Sequence, residues 1–182
     1  MPWGARSKRC WFKMKLITNL LEIARLSERN RKANFDFRAK LKWKVDDEAL
    51  LDSQVHALYQ EIANKIDCRT CGNCCKTYDI IVSDDDISRL SKAVGTTIDQ
   101  FKNQYLKNAA DSDGLCFKVK PCPFLKNNVC DQYEDRPEVC REYPHLNKNE
   151  FLGRTWSVID NCSTCPHVFN VWERLKRKFN FR

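Results

Sequence analysis

Apolar residues recur at helical spacing in three stretches. Leu16, Ile17, Leu20, Leu21 and Ala24 predict an amphipathic helix over 14–29. Leu50, Leu51, Val55, Leu58, Ile62 and Ile66 line one face of a second helix over 46–66. Asp46, Asp47 and Glu48 open its first turn, where the helix dipole favours negative charge. Val168, Val171, Trp172, Leu175 and Phe179 stripe a C-terminal helix that ends in the basic cluster Arg174, Lys176, Arg177 and Lys178. Between these stretches the signals are local. Ser83 with Asp86 and Thr97 with Gln100 read as capping boxes, for helices ending near Gly95 and Asn108. Asp135 with Glu138, and Pro137 at the first helical position, start a short helix that Pro144 stops. Tyr78 to Val82, Phe117 to Lys120 and Phe151 to Ile159 are strand candidates, and Phe35-Asp36-Phe37 alternates weakly in the same sense. The pattern predicts an α+β chain with several helices and short strands.

Charge divides the chain. Residues 1–44 hold thirteen Lys/Arg against Glu22, Glu28 and Asp36, a net +10, whereas residues 45–182 carry −2. A basic helical arm (1–45) is thus predicted ahead of a near-neutral domain (46–166) and a basic C-terminal helix (167–182). Basic residues interleaved with Phe35, Phe37 and Trp43 suit nucleic acid, a ribosome, an anionic membrane surface or a protein partner. The competing reading is a solvated face with a few aromatic anchors. Residues 1–21 have five bases and no acid, a feature of mitochondrial presequences. The apolar run Leu16–Leu26 is broken by Thr18, Asn19, Glu22 and Arg25, so it lacks a signal-peptide core, and no stretch reaches transmembrane length. The expected location is cytoplasmic.

The chemistry lies in the cysteines. Ten of eleven fall between residues 68 and 165, and four stand within Cys68-Arg69-Thr70-Cys71-Gly72-Asn73-Cys74-Cys75. Cys10 is isolated and reads as a bystander. Thiolates at C-x2-C spacing are what zinc and iron–sulfur clusters select. Disulfides are the alternative, but they need an oxidising compartment. Cys68-x2-Cys71-Gly72 has the form of a metal knuckle, with glycine free to take a positive φ. Extended to Cys74, it matches the loop that holds three irons of a [4Fe-4S] cluster, and Cys122-Pro123 and Cys165-Pro166 match the remote cysteine of such loops. Cys116, Cys130, Cys140 and Cys162 add further thiols. Cys74 and Cys75 are adjacent, so their side chains diverge. His145 and His167 could each complete a site, whereas His56 lies mid-helix. Asp84, Asp85 and Asp86 could pass for a carboxylate ligand set, although their place at a helix start favours capping. Arg136 and Arg141 flank Cys140 and could offset thiolate charge, the alternative being ion pairs with Glu134, Glu138 or Glu142. No Gly-rich phosphate loop and no Ser-His-Asp arrangement is legible.

CRTCGNCC followed by PCPFLKNNVCDQYEDRPEVCREYP closely resembles the CxxCxxCC cysteine-cluster family (the YkgJ type) of zinc- or iron-chelating proteins, over roughly residues 66–166. The resemblance implies metal ligation by Cys68, Cys71, Cys74, Cys75, Cys122, Cys130 and Cys140. Members are also catalogued as iron–sulfur proteins, and some larger relatives resemble lysine N-methylases of flagellin. This chain shows no separate methyl-donor domain. With Cys162 and Cys165 added as a second C-x2-C pair, the expected ligand set has nine thiols. The expected function is metal binding, by zinc or an iron–sulfur cluster, in a structural or redox role. A redox or methyl-transfer enzyme and a metal-stapled adaptor are the alternatives.

Overall fold

The computed structural model describes residues 15–110 and 112–181. Cys10 and most of the presequence-like stretch lie outside them. The expected α+β class is found: helices dominate, and the strands are short and antiparallel. The chain folds as two compact units. One contains the described residues up to Ile66 together with those from Leu146 on, and the other spans Asp67–His145. The boundaries drawn from sequence at 45/46 and 166/167 both fall inside the first unit.

The first unit is helical: α1 (Leu20–Arg29), α2 (Arg31–Lys44), α3 (Glu48–Ala63), then α8 (Thr155–Asn161) and α9 (Pro166–Lys178). Asn19 and Asp47 cap α1 and α3 through side-chain bonds to the backbone N–H of Glu22 and Leu50, satisfying donors that a helix start leaves unpaired. α9 is the hub, buried on nearly every face and packed by α1, α3 and α8. Trp172 makes an edge contact with Phe37 of α2 at 5.0 Å, and its indole N–H donates to Asn34 Oδ1 at 3.0 Å. Ile23, Phe37 and Leu41 have no exposed surface, so part of the basic arm lies in this core.

Two sequence readings need correction here. Phe35-Asp36-Phe37 is helical, because Phe37 and Leu41 lie one turn apart on the buried side of α2. Residues 155–161 also form a helix and not a strand, burying Thr155, Val158 and Ile159 together, so tertiary packing overrides their β-propensity. The basic cluster at the chain end is partly buried. Arg174 is only 3% exposed and pairs with Glu61 at 2.8 Å, while buried Lys176 pairs with Glu173 at 2.6 Å. His167 serves packing. Its Nε2 meets the Ile66 carbonyl at 3.0 Å, and its ring stands edge-on to Tyr59.

The second unit contains α4 (Asn73–Thr77), α5 (Asp84–Ala93), α6 (Ile98–Tyr105) and α7 (Glu138–Glu142). Its first sheet has the order β1 (Ile81–Val82), β3 (Leu115–Phe117), β2 (Leu106–Asn108), with Ile81 opposite Cys116 and Leu106 opposite Phe117. The second is a hairpin of β4 (Leu125–Lys126) and β5 (Val129–Cys130). Its two-residue turn, Asn127–Asn128, has φ of 50° and 64°, as a type I′ turn requires. Both expected capping boxes are present, on α5 and α6. The core gathers Val82, Ile87, Leu90, Phe101, Leu106, Phe117 and Phe124, with Cys122 and Cys130 against its edge.

Candidate metal centre

The cysteines of the second unit ride on short pieces of turn, helix and strand. Cys68 opens a 3-10 turn (Cys68–Thr70), and Asp67 caps that turn by accepting the Arg69 N–H. Cys71 and Gly72 follow, and Gly72 takes φ +60°, the left-handed conformation expected of the knuckle. A Cβ at Gly72 would meet the Asn128 carbonyl oxygen and Leu125 Cδ1, each at 3.1 Å. The knuckle therefore docks directly on the β4–β5 hairpin, and Lys76 Nζ reinforces it by donating to Asn128 Oδ1. α4 then carries Cys74 and Cys75, whose sulfurs are 3.9 Å apart.

Cys122 is fixed from both sides. Its N–H donates to the Cys75 carbonyl at 2.8 Å. Two residues on, Phe124 packs among Phe101, Tyr105 and Phe117. Cys130 ends β5, and Cys140 lies on α7. The start of α7 is anchored by buried Asp86, which sequence reading assigned only to the cap of α5. Asp86 Oδ1 accepts the Glu138 N–H at 3.1 Å and Arg89 Nη2 at 2.6 Å. Arg89 also donates to the carbonyls of Asp135 and Arg136. The cap attributed to Asp135 thus comes from a residue 52 positions earlier.

Electrostatics group the thiols. Cys140 feels the charge of Cys75, Cys122 and Cys130, Cys122 that of Cys75 and Cys130, and Cys130 that of Cys75. Burial pushes the Cys122 thiol up to about 11 and that of Cys140 up to about 12, and it raises Cys130 as well. Cys75 goes the other way, to about 7, because Cys74 hydrogen-bonds its sulfur. The backbones of Phe124 and Gln132 hydrogen-bond the sulfurs of Cys122 and Cys130, an arrangement that favours thiolate. Cys68 and Cys71 interact with each other, and partial desolvation raises Cys68 although the residue is exposed. The Arg136 guanidinium, stacked 3.6 Å from the Tyr133 ring centroid, partly offsets the rise that burial imposes on Cys68 and Cys130. Arg141 bonds the carbonyls of Glu134 and Arg136.

Among the described residues, no three His, Cys, Asp or Glu side chains are close enough together to hold a metal ion as they are packed. The donor chemistry fits one all the same. Cys75, Cys122, Cys130 and Cys140, two of them with backbone N–H donors on sulfur, are soft donors of the kind that zinc and iron select once deprotonated.

The remaining candidates have other surroundings. Cys116 is buried on β3. Cys162 and Cys165 belong to the first unit, where burial pushes the Cys162 thiol far up. His145, at φ +60°, stands 3.9 Å from the Glu142 carboxylate. Asp84 lies 3.7 Å from Lys102. The sequence reading passed over the β4–β5 hairpin, although Asn127-Asn128 between two apolar-containing pairs was a legible turn signal.

A family profile, CxxCxxCC, described as a "Putative zinc- or iron-chelating domain", matches residues 67–166. No curated protein and no solved structure matches the chain.

Proposed function

This chain belongs to the CxxCxxCC family, and from that premise we propose that Cys75, Cys122, Cys130 and Cys140 form its principal metal centre. The centre holds zinc or a [4Fe-4S] cluster, since both take four thiolates. The charge effects of Cys75, Cys122 and Cys130 on Cys140, and of Cys75 and Cys130 on Cys122, carry the reading. A bound metal supplies the positive charge that makes the thiolates affordable at neutral pH. The chain's own residues do the rest. Phe124 and the Cys75 carbonyl hold Cys122, the hairpin presents Cys130, and Asp86 with Arg89 fixes the start of the helix that carries Cys140. Cys68 and Cys71 flank this centre on the knuckle, and Cys74 does so beside Cys75 on α4.

The role proposed is structural. Four thiolates close a zinc site, whereas catalysis needs an open coordination position. The pieces that carry the thiols are short, so metal binding and the packing of 67–145 are coupled. Cys162 and Cys165 cannot complete a tetrahedral site between themselves, and they are read as core residues of the first unit.

Protein purified without oxygen tests the proposal by visible absorption and metal analysis. A brown protein with iron and sulfide assigns the cluster, and a colourless one with stoichiometric zinc assigns the staple. Protein that contains neither metal and takes up neither would contradict the proposal.

A further inference from the structure

The metal centre leaves one surface of the first unit unexplained. α2 buries Asn34, Phe37 and Leu41 and turns the opposite side outward. At 100° per residue, Arg31, Phe35, Arg38 and Lys42 fall in one row of that outer side, and Lys32, Asp36 and Trp43 fall in the next. Trp43 is 88% exposed between Lys42 and Lys44. Trp156 of α8, 54% exposed, stands beside the first row, its ring 4.9 Å from that of Phe35. The Arg38 guanidinium lies over Trp156 at 4.4 Å, and that of Arg31 over Phe35 at 5.3 Å. The acids nearby are few. Asp36 is taken by Lys32 at 2.7 Å, and Asp160 lies 3.9 Å from Arg31.

We propose that this face binds single-stranded nucleic acid. Arg31, Lys42 and Lys44 meet phosphates, one base stacks on Trp43, and another stacks on the Arg38 guanidinium that lies on Trp156. Rings interleaved with cations are the chemistry of such surfaces, because every base offers a π-face and every linkage a charge. A bilayer fits less well: an interfacial helix needs a continuous apolar face to insert, and the apolar face of α2 is already buried.

The test titrates fluorescein-labelled oligo(U) and oligo(dT), and vesicles of 7:3 phosphatidylcholine:phosphatidylserine, with the full chain at two salt concentrations. Trp43→Ala, exposed enough to leave the fold intact, should weaken oligonucleotide binding about five- to hundredfold, the range for loss of one stacked base. Lys42→Gln with Lys44→Gln should reduce the salt slope by about 1.4, at roughly 0.7 per phosphate contact on a single strand. Metal content and melting should match the parent in both variants. Oligonucleotide affinity unchanged in both variants, or binding to vesicles with none to oligonucleotide, overturns the proposal.

Discussion

At Gly72 one hydrogen atom in place of a methyl group decides whether the knuckle can dock. With φ at +60° and the Asn128 carbonyl 3.1 Å from any added Cβ, alanine would suffer both backbone strain and a clash with backbone. Gly72→Ala should cost at least about 1–2 kcal/mol from the left-handed conformation alone, and it should lower metal content while leaving the helical unit intact. Thermal melting followed by metal analysis checks both. That glycine was legible in the sequence, because a C-x2-C-G turn demands positive φ locally. Asp86 was only half legible. Its capping of α5 is local, but its bond to the Glu138 N–H crosses 52 residues and leaves no local trace. Asp86→Ala removes the acceptor of Arg89 and Glu138 in a buried place. It should destabilise the protein by about 3 kcal/mol, in the range for stranding one partner of a buried pair. A denaturant titration showing less than about 1 kcal/mol would mean that the Asp135–Glu138 segment is held by something else.

At the scale of elements, position is set by caps and short turns more than by length. α4, α7 and the β4–β5 hairpin are too short to be stable alone, and each is tied down by a named contact. The two Asn residues at φ of 50° and 64° make the hairpin turn possible. Replacing both with valine, which resists positive φ, should disorder β5 and Cys130 and lower metal content, whereas Asn-Gly should be tolerated. Comparing the metal-to-protein ratios of the two variants separates these outcomes. Elements whose signals are local, such as the capped α5 and α6 and the striped α3 and α9, were legible from sequence. α2 and α8 were not, because Phe35 and Phe37 or Trp156 and Val158 read as strand formers until Trp172 and its neighbours are in place to receive them.

For the whole molecule, the discontinuous first unit explains why its domain plan escaped sequence reading. Its two halves meet through side chains such as Trp172 to Asn34 and Arg174 to Glu61. The thiols make the second unit sensitive to pH in a defined sense. Burial holds Cys122 at about 11 and Cys140 at about 12, above the ordinary 9.0. In metal-free reduced protein, the unfolded chain therefore loses these protons first as pH rises, and stability should fall from pH 9 towards 11–12. Cys75, at about 7, acts oppositely: its contribution is full above pH 9 and is lost as pH falls through 7. Urea unfolding at pH 7, 9 and 10.5 should show this decline above 9. Metal-loaded protein, whose thiolates are already deprotonated, should not show it, and a decline of equal size in both would refute the thiol origin.

The central claim is that four particular sulfurs share one metal. Metal content per chain, measured on oxygen-free preparations of the parent and of single Cys→Ser variants, tests it most directly. The parent should carry about one zinc or about four irons in the centre. Cys75→Ser, Cys122→Ser, Cys130→Ser and Cys140→Ser should each lose most of it, while Cys116→Ser and Cys162→Ser keep it. Full metal retention in Cys140→Ser, or loss in Cys162→Ser as severe as in Cys75→Ser, would contradict the account.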